Sequence, residues 1–444
     1  MRKLLGSTLA LALLVPTGAN AELLKNFKAG GSLEVADSAA NNVSDLNTVT
    51  YDRLSTVQTR LMVHGDWDLL DDVHAHVSVV KNDRTYGTAS QDLNTIQTAL
   101  FVRESYVKID KLFGALDATV GRQYYGEPGD MVIYYGPKYN LYGLAVTPLD
   151  GGRFDWNGES VGVTALAAKV TGSALGVTDA GNVNLRGIDV HVKPAGSLSG
   201  SGYLYQRVAI NSGSFAHNVI GEDYRYVLGF RGKWKSGGAW ASAEIDKNFG
   251  ARRIVAAAGP YSAVGNYTGW AGKANGGYKA DLELGVLAGW LEAGIGSGGQ
   301  TLNRNFTPIA GDYRPGSIAG RFASVAPVAG APTAVDEGSL SNRVVFGTGV
   351  KATPSALKKL TAGLSWWNFR VQNATALHNV SPTDTKGNKF LGNEYDLDLT
   401  WTHSENVTIS AGVGTFQPGN VYASTNAGGL SQARAGYADL AIKF

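Results

Sequence analysis

Charged side chains recur at alternate positions in segments that read as β-strands, a pattern that separates a wet face from a dry one. In NEYDLDLTWTH, the carboxylates Glu394, Asp396 and Asp398 share one face, and Leu397 and Leu399 lie on the other. Carboxylates cannot face a dry protein interior without partners, because an unpaired buried charge is costly. The acidic face must therefore meet water, and the apolar face must be buried.

Extended over the whole chain, the same alternation predicts a water-filled interior lined by both signs of charge in near balance. A lining of this kind selects solutes by their charge. The basic candidates are Arg60, Lys108, Lys193, Arg225, Arg231, Lys233, Lys273, Lys279, Arg343, Lys351, Arg370 and Lys443. The acidic candidates are Asp66, Glu104, Asp189, Glu244, Asp246, Asp281, Glu292, Glu394, Asp396, Asp398 and Asp439.

Three of the basic candidates, Arg225, Arg231 and Lys233, fall on the same face of one predicted strand. Guanidinium and ammonium groups replace the hydration water of a carboxylate with charge-assisted hydrogen bonds. The pattern therefore predicts a positive stripe that favours anionic solutes. The alternative for each residue is an ordinary solvated or ion-paired lining.

Motifs for catalysis are present but lie in the wrong context. GESVG (158–162) matches a nucleophile elbow, but it lies across a hairpin between two predicted strands, where the motif needs a helix after its turn. GIGSGG (294–299) matches a dinucleotide fingerprint, but no predicted helix follows it. His74 and His76 share one strand face without a third ligand nearby. We therefore predict no enzyme, no metal site and no cofactor.

Composition removes further classes. The chain has no cysteine, which excludes disulfides and thiolate metal sites. Its formal net charge of +2 falls to zero once Arg2 and Lys3 are removed. A neutral chain is not typical of a protein that binds nucleic acid.

The beginning of the chain, MRKLLGSTLALALLVPTGANA, has the layout of a secretory signal peptide. A basic start precedes an apolar run at 9–15 and small residues at Ala19 and Ala21. We expect residues 1–21 to be cleaved and residues 22–444 to form a single domain.

The connections between strands distinguish a membrane barrel from a soluble sandwich. About 18 strand-like segments are joined by short turns, such as 235–238 and 404–406, that alternate with long connections, such as 84–98 and 299–341. Outer-membrane barrels sort their loops in this way. We predict an all-β fold, a single transmembrane antiparallel up-and-down β-barrel with short periplasmic turns and long extracellular loops. It would lie in the lipid of a Gram-negative outer membrane with both termini periplasmic.

The region 299–341 is rich in alanine, glycine and proline, so it cannot be a central strand. It is either an ordered loop folded into the barrel mouth or a mobile external loop. Tryptophans near strand ends indicate the aromatic girdles of a membrane protein. For Trp240 and Trp366, which alternation directs inward, stacking on sugar rings is the alternative.

The last residues, ARAGYADLAIKF, alternate up to a terminal Phe444. A barrel has no free edge, so its last strand can end in mid-ladder where it pairs with the first. A terminal aromatic residue also resembles the C-terminal signal that barrels present to their assembly machinery.

Two stretches resemble the alginate-export family of outer-membrane barrels. LGNEYDLDLTWTHSENVTISAGVGTFQPGN (391–420) is similar to its Gly-x-Glu-x-Asp-Leu strand, short turn and strand ending in Phe-x-Pro-Gly, before a last strand ending in Phe. ESYVKIDKLFGALDATVGRQYYG (104–126) is similar to its Gly-Arg-Gln strand end, and GGRFDW (151–156) is a weaker match to its Arg-x-Phe-Asp segment.

The resemblance implies a monomeric barrel that passes solutes, with alginate as the family's best-known substrate. It adds Arg122, Arg153 and Asp155 to the site residues and again selects Asp439. Strict alternation directs Arg122 toward lipid, and a bulge at Gly121 would turn it inward.

The sequence thus predicts an outer-membrane channel for hydrophilic solutes, with anionic saccharides or related carboxylates selected by charged lumen residues. Two alternatives stay open. One is an outer-membrane enzyme of the lipase or protease type, and the other is a scaffold barrel that seats a secretion or electron-transfer partner.

Overall fold

The computed structural model describes most of the chain after the predicted signal peptide, which lies outside the described residues. The described residues are 25–43, 46, 53–86, 100–138, 144, 146–171, 182–211, 221–254, 262–299, 304–321, 339–374, 388–422 and 430–444.

Eighteen antiparallel strands form a closed wall. The described residues contain 21 strands, and three of them lie outside the set that closes the barrel, namely Tyr125–Gly126, Tyr134–Tyr135 and Ser262–Asn266. In chain order they are β1 Lys25–Asn41, β2 Arg53–Leu70, β3 Val73–Tyr86, β4 Phe101–Leu112, β5 Leu116–Gln123, β6 Tyr125–Gly126, β7 Tyr134–Tyr135, β8 Leu149–Asn157, β9 Val161–Thr171, β10 Val183–Ala195, β11 Leu198–Asn211, β12 Gly221–Ser236, β13 Ala239–Ile254, β14 Ser262–Asn266, β15 Trp270–Leu282, β16 Gly285–Gly296, β17 Arg343–Pro354, β18 Leu360–Val371, β19 Phe390–Ser404, β20 Val407–Pro418 and β21 Ala433–Lys443.

The wall closes where β21 pairs with β1, from Ser32 opposite Lys443 to Asn41 opposite Arg434. Phe444 extends this seam, because its backbone N–H and C=O both bond to Gly31, at 3.0 and 2.8 Å. The predicted all-β antiparallel barrel is confirmed. The 18 wall strands agree with the count of about 18 that the alternation predicts.

All short turns lie at one rim of the barrel, together with residue 25 and the C-terminus. At the opposite rim, which we name the long-connection rim, the strand ends lead into the long connections. In the part of the chain that the structure describes, no helix has the length and apolar character needed to cross a membrane.

The outer wall is apolar, as a lipid-facing surface must be. Ile245 on β13 and Leu364 on β18 are 62% and 59% exposed to the outside. Their neighbours along each strand point inward, so the strands alternate between the two surfaces. Leu397 and Leu399 lie outside and Asp396 is buried inside, as the pattern in NEYDLDLTWTH predicts.

Among the described residues, two segments enter the lumen from the long-connection rim. We name residues 124–138 the short inner loop and residues 304–321 the long inner loop. The long inner loop contacts inward-facing residues of β12 near its start and of β19 and β21 near its end. β12 lies six strands from β19 and eight from β21 around the wall, so the loop crosses the barrel interior. For the described part of 299–341, the infolded alternative is therefore the one observed.

The infolded segment gives the lumen an apolar core of its own. Phe306 and Ile318 of the long inner loop are fully buried in one cluster with wall residues Phe369 and Phe416. At this level the inside of the wall is a protein interior, although the outside of the same strands is exposed.

This core reverses the predicted faces of β18. Trp366 lies outside against Phe346, with ring centroids 5.8 Å apart, and Trp367 points inward beside Phe369. Arg370 shares the face of Trp366 and Leu364 and is exposed outside, so its predicted lumen position is wrong. The prediction fails because it assumed a polar inner face, whereas the inner loop makes that face apolar.

Candidate functional site

The two inner loops pair with each other in the lumen. The backbone N–H of Tyr134 donates to the carbonyl of Ala310 at 2.8 Å, and that of Ala310 donates to Val132 at 2.9 Å. A third bond of 2.8 Å joins the N–H of Asp312 to the carbonyl of Asp130. The loops thus form one hydrogen-bonded unit that narrows the barrel.

The predicted positive stripe on β12 is largely used to hold this unit. Arg225 is buried and donates through Nη1 to the carbonyl oxygen of Pro308 at 2.6 Å, and its guanidinium lies 5.5 Å from the ring centre of Tyr267. One strand away, the amide of Asn248 exchanges two hydrogen bonds of 2.8 Å with the backbone of Thr307. β12 and β13 thereby fix the start of the long inner loop.

Arg231 anchors the short inner loop. Its Nη1 donates to Oδ2 of Asp130 at 2.8 Å, its Nη2 to Oδ2 of Asp189 at 3.1 Å, and its Nε to the hydroxyl of Ser201 at 2.8 Å. Two carboxylates therefore neutralise this arginine, one from the wall and one from the loop.

Lys233, the third member of the stripe, is different. Its side chain is 63% exposed, and its ammonium lies 3.6 Å from the exposed carboxylate of Glu127. An ion pair in such an open position contributes little, so the Lys233 ammonium stays exposed in the lumen.

The opposite wall holds the long inner loop through acids. The fully buried carboxylate of Glu394 accepts hydrogen bonds from the backbone N–H groups of Ile318, at 2.5 Å, and Ala319, at 3.0 Å. These residues begin a one-turn helix, Ile318–Arg321, and Asp396 accepts a further bond of 3.3 Å from Ser317. The wet acidic face predicted for β19 is thus covered by the loop at these two residues.

Asp439 on the last strand binds Arg321 of the loop in a bidentate pair, with both Nη–Oδ distances at 2.8 Å. Arg321 also donates to the hydroxyl of Ser38 on β1 at 2.8 Å. The resemblance selected Asp439, but no local signal in the sequence identified its partner, which lies in the alanine- and glycine-rich region.

Four further predicted site residues also face inward, namely Arg60, Arg153, Asp155 and Arg343. Arg60 is only 1% exposed, forms an ion pair with Glu34 and donates to the carbonyl of Lys138 at 3.3 Å. Arg153 and Asp155 are half-buried and paired at 2.8 Å. Arg343, also inward, is buried at the start of β17.

Arg122 lies on the outward face of β5. It stands opposite Asp150 of β8 in the ladder and forms a bidentate ion pair with that carboxylate, at 2.8 and 2.7 Å. The register of β5 runs without interruption through Gly121, so no bulge turns Arg122 inward. Strict alternation gave the correct face, and the placement implied by the resemblance is wrong.

Tyrosines of the lumen were missed as site residues. The hydroxyl of Tyr203 donates to Glu244 at 2.6 Å and lies 2.7 Å from Asp246, and the hydroxyls of Tyr125 and Tyr205 are 2.9 Å apart. The alternation of tyrosine in YLY on β11 is the signal that would have placed Tyr203 and Tyr205 inside.

In the short inner loop, burial raises the pKa of Tyr125 and Tyr135 to about 12. In the long inner loop, burial and the adjacent Glu292 carboxylate, 2.6 Å away, raise the pKa of Tyr313. These phenols stay neutral at physiological pH, so they serve as hydrogen-bond donors and acceptors. The ammonium of Lys273 lies 4.7 Å from the ring centre of Tyr313.

The histidines of the HAH segment face the lumen near the short-turn rim. His74 lies between Asp68 and Asp110, at 2.6 and 3.1 Å, and His76 is 2.6 Å from Asp66. Among the described residues, no group of three or more potential ligands is arranged to hold a metal ion.

Solved structures show what class of fold this is. The chain is similar to OccAB1 of Acinetobacter baumannii, with a TM-score of 0.57, 9% identity, and coverage of 95% of this chain and 97% of that chain. For OpdQ of Pseudomonas aeruginosa the TM-score is 0.55 at 11% identity, with coverage of 96% of this chain and 99% of that chain. For the outer membrane protein OprD of the same organism the TM-score is 0.52 at 10% identity, with coverage of 95% of this chain and 94% of that chain. At such identities the likeness shows the fold, which is that of outer-membrane porins.

No protein-family model and no curated protein matches the sequence. The solved structures show a porin-type barrel fold, and membership of the alginate-export family stays a prediction.

Proposed function

We propose that this protein is a channel of the Gram-negative outer membrane that passes hydrophilic solutes. The observation that carries the proposal is the closed wall narrowed by two inner loops, each fixed to charged wall residues. Such a constriction limits solutes by size and charge while the apolar outer wall meets lipid. The short-turn rim and both termini face the periplasm in this proposal, as in barrels of this type.

We infer that the channel prefers anions. Several inward carboxylates are withdrawn from the solute path, because they are buried in internal hydrogen bonds. These are Asp189, Glu244, Asp246, Glu394 and Asp396. Fewer guanidinium groups are buried in the same way, and Lys233 and Arg153 keep part of their surface exposed. The effective charge of the path is then more positive than the balanced count of lumen residues.

Among anionic solutes, we propose saccharides that bear carboxylates, and alginate is the specific polymer that the resemblance over 391–420 suggests. A polyanion that exchanges one partly exposed cation for the next needs no tight site. The wall is closed by the chain's own first and last strands, which supports a monomer.

Planar-bilayer recording tests the channel and its selectivity together. Wild-type protein should give discrete conductance steps and an anion-selective reversal potential in a salt gradient. The double substitution Arg153→Gln and Lys233→Gln should move that potential toward cation preference. The shift should shrink above about 0.1 M salt, where the screening length is about 10 Å.

Arg370→Gln is the matched control, because it removes a guanidinium from the outer face. It should leave the reversal potential unchanged. Absence of any conductance would refute the channel, whereas conductance without anion preference would refute only the choice of solute. Block by an oligouronate, compared with a neutral oligosaccharide of equal length, separates alginate-like polymers from other solutes.

We also propose that Phe444 is read by the barrel-assembly machinery. Deleting it should reduce the amount of folded protein in the outer membrane while the signal peptide is still removed. Immunoblots of unboiled membrane fractions measure this, and wild-type levels of the deletion variant would contradict the proposal.

A further inference from the structure

Arg122 belongs to a row of charged residues on the outside of the barrel. In the ladder of β5, β8 and β9, Arg122 stands opposite Asp150, and Asp150 stands opposite Lys169. Lys169 stands opposite Asn184 of β10, and Arg186 is two residues further on the same face of that strand. We name Arg122, Asp150, Lys169 and Arg186 the outer row.

The outer row continues the lipid-facing surface. Along the same faces of β5, β8 and β10 lie Val120, Phe154 and Ile188, which are exposed on the outside. The row is at the strand ends that lead into the long connections. Its side chains therefore lie where the apolar band of the wall ends and lipid headgroups begin.

The row has an excess of positive charge. Asp150 is engaged in the bidentate pair with Arg122. Lys169 and Arg186 are exposed, and neither side chain forms a hydrogen bond or an ion pair within the part of the chain that the structure describes. Diagonal neighbours across two strands are about 7–8 Å apart, so two long side chains at these positions can reach one anion.

The short-turn rim does not share this excess. Its exposed turn residues carry both signs, among them Glu159, Lys235, Glu283, Lys359 and Glu405. A barrel that meets chemically different headgroups at its two rims needs such an asymmetry.

We propose that the outer row binds the phosphate of a phosphorylated lipid headgroup in the outer leaflet, through Lys169 and Arg186 with Arg122 beside them. A phosphomonoester carries about −1.5 to −2 charges at neutral pH, which matches the two unpaired cations. Guanidinium and ammonium groups bind phosphate through charge-assisted hydrogen bonds. This inference rests on the proposed orientation in the outer membrane but not on the solute that passes.

The test is native mass spectrometry of the full-length mature barrel in detergent with diphosphoryl lipid A, with phosphatidylcholine as the comparison lipid. Wild-type protein should retain the phosphorylated lipid in preference to phosphatidylcholine. The double substitution Lys169→Gln and Arg186→Gln should weaken binding of the diphosphoryl lipid A about thirtyfold, because each of the two lost cations contributes about 1 kcal/mol. The pair Lys235→Gln and Lys359→Gln at the other rim is the matched control and should leave binding unchanged.

A second pair of variants separates charge from folding. Lys169→Arg with Arg186→Lys keeps both charges and should retain the lipid. Equal binding by the wild type and the Gln variant, equal retention of phosphatidylcholine, or displacement by equimolar inorganic phosphate would each overturn the proposal. Conductance of the Gln variant in phosphatidylcholine bilayers should equal that of wild type, so failure of this inference is distinguishable from failure of the channel.

Discussion

Strands β12 and β18 belong to the same wall, yet their inner faces follow opposite rules. On β12 the inward side chains include Arg225, Arg231 and Lys233, whereas on β18 they include Trp367 and Phe369. Both faces meet an inner loop, but β12 meets polar backbone and carboxylates, while β18 meets an apolar cluster. The inner face of a barrel is thus polar only where its contacts are water or polar groups.

The strongest test of this contrast is Phe369→Ala on β18. Phe369 is 1% exposed inside the apolar cluster, so its truncation should reduce the free energy of unfolding by about 3–5 kcal/mol. Leu364→Ala on the lipid-facing side of the same strand should cost much less, because lipid fills the space. Urea unfolding followed by tryptophan fluorescence measures both, and equal losses would show that no protein core exists inside the barrel.

Strand β19 gives a test of the two surfaces themselves. Leu399→Asp should impair assembly, because it places a charge toward the bilayer, at a cost below the about 2–4 kcal/mol that Arg or Lys costs at the bilayer midplane. Asp398→Asn, which changes the neighbouring inward side chain, should assemble normally. Migration of unboiled samples on a gel reports folding, and equal tolerance at the two positions would contradict a transmembrane wall.

A smaller effect is expected at the acidic anchor of the long inner loop. Arg321→Gln removes the bidentate pair with Asp439. The free energy that holds the long inner loop against the wall should fall by about 1.5–3 kcal/mol. A loosened loop should raise the mean single-channel conductance and its noise. Asp439→Asn should have the same effect, and a conductance that matches wild type in both variants would mean that the pair does not set the pore size.

The wall could be predicted from the sequence because each strand records its surroundings locally. In Leu397, Asp398 and Leu399 the lipid and the lumen alternate residue by residue, and the tight turns separate one strand from the next. The faces of the closing strand β21 could be predicted in the same way, since its apolar residues Leu440 and Ile442 lie on the outer face.

The site could be predicted only as a set of charges, because its partners are distant in sequence. Arg225 meets Pro308, Arg231 meets Asp130, and Asp439 meets Arg321. Neither loop shows the periodicity of a strand or a long helix, so nothing local places it inside. The error at Arg370 has the same origin, because its strand faces a core that the loop supplies.

The pairing of Ser32 with Lys443 has a consequence for biosynthesis. The first strand emerges long before its partner, and until the end of the chain is available its N–H and C=O groups form an open edge. Open edges recruit strands from other chains, which leads to aggregation. Contacts of such large sequence separation are also slow to form, because the closure entropy must be overcome first. The barrel therefore cannot close before β21 has been delivered, and until then β1 must be kept from pairing with other chains.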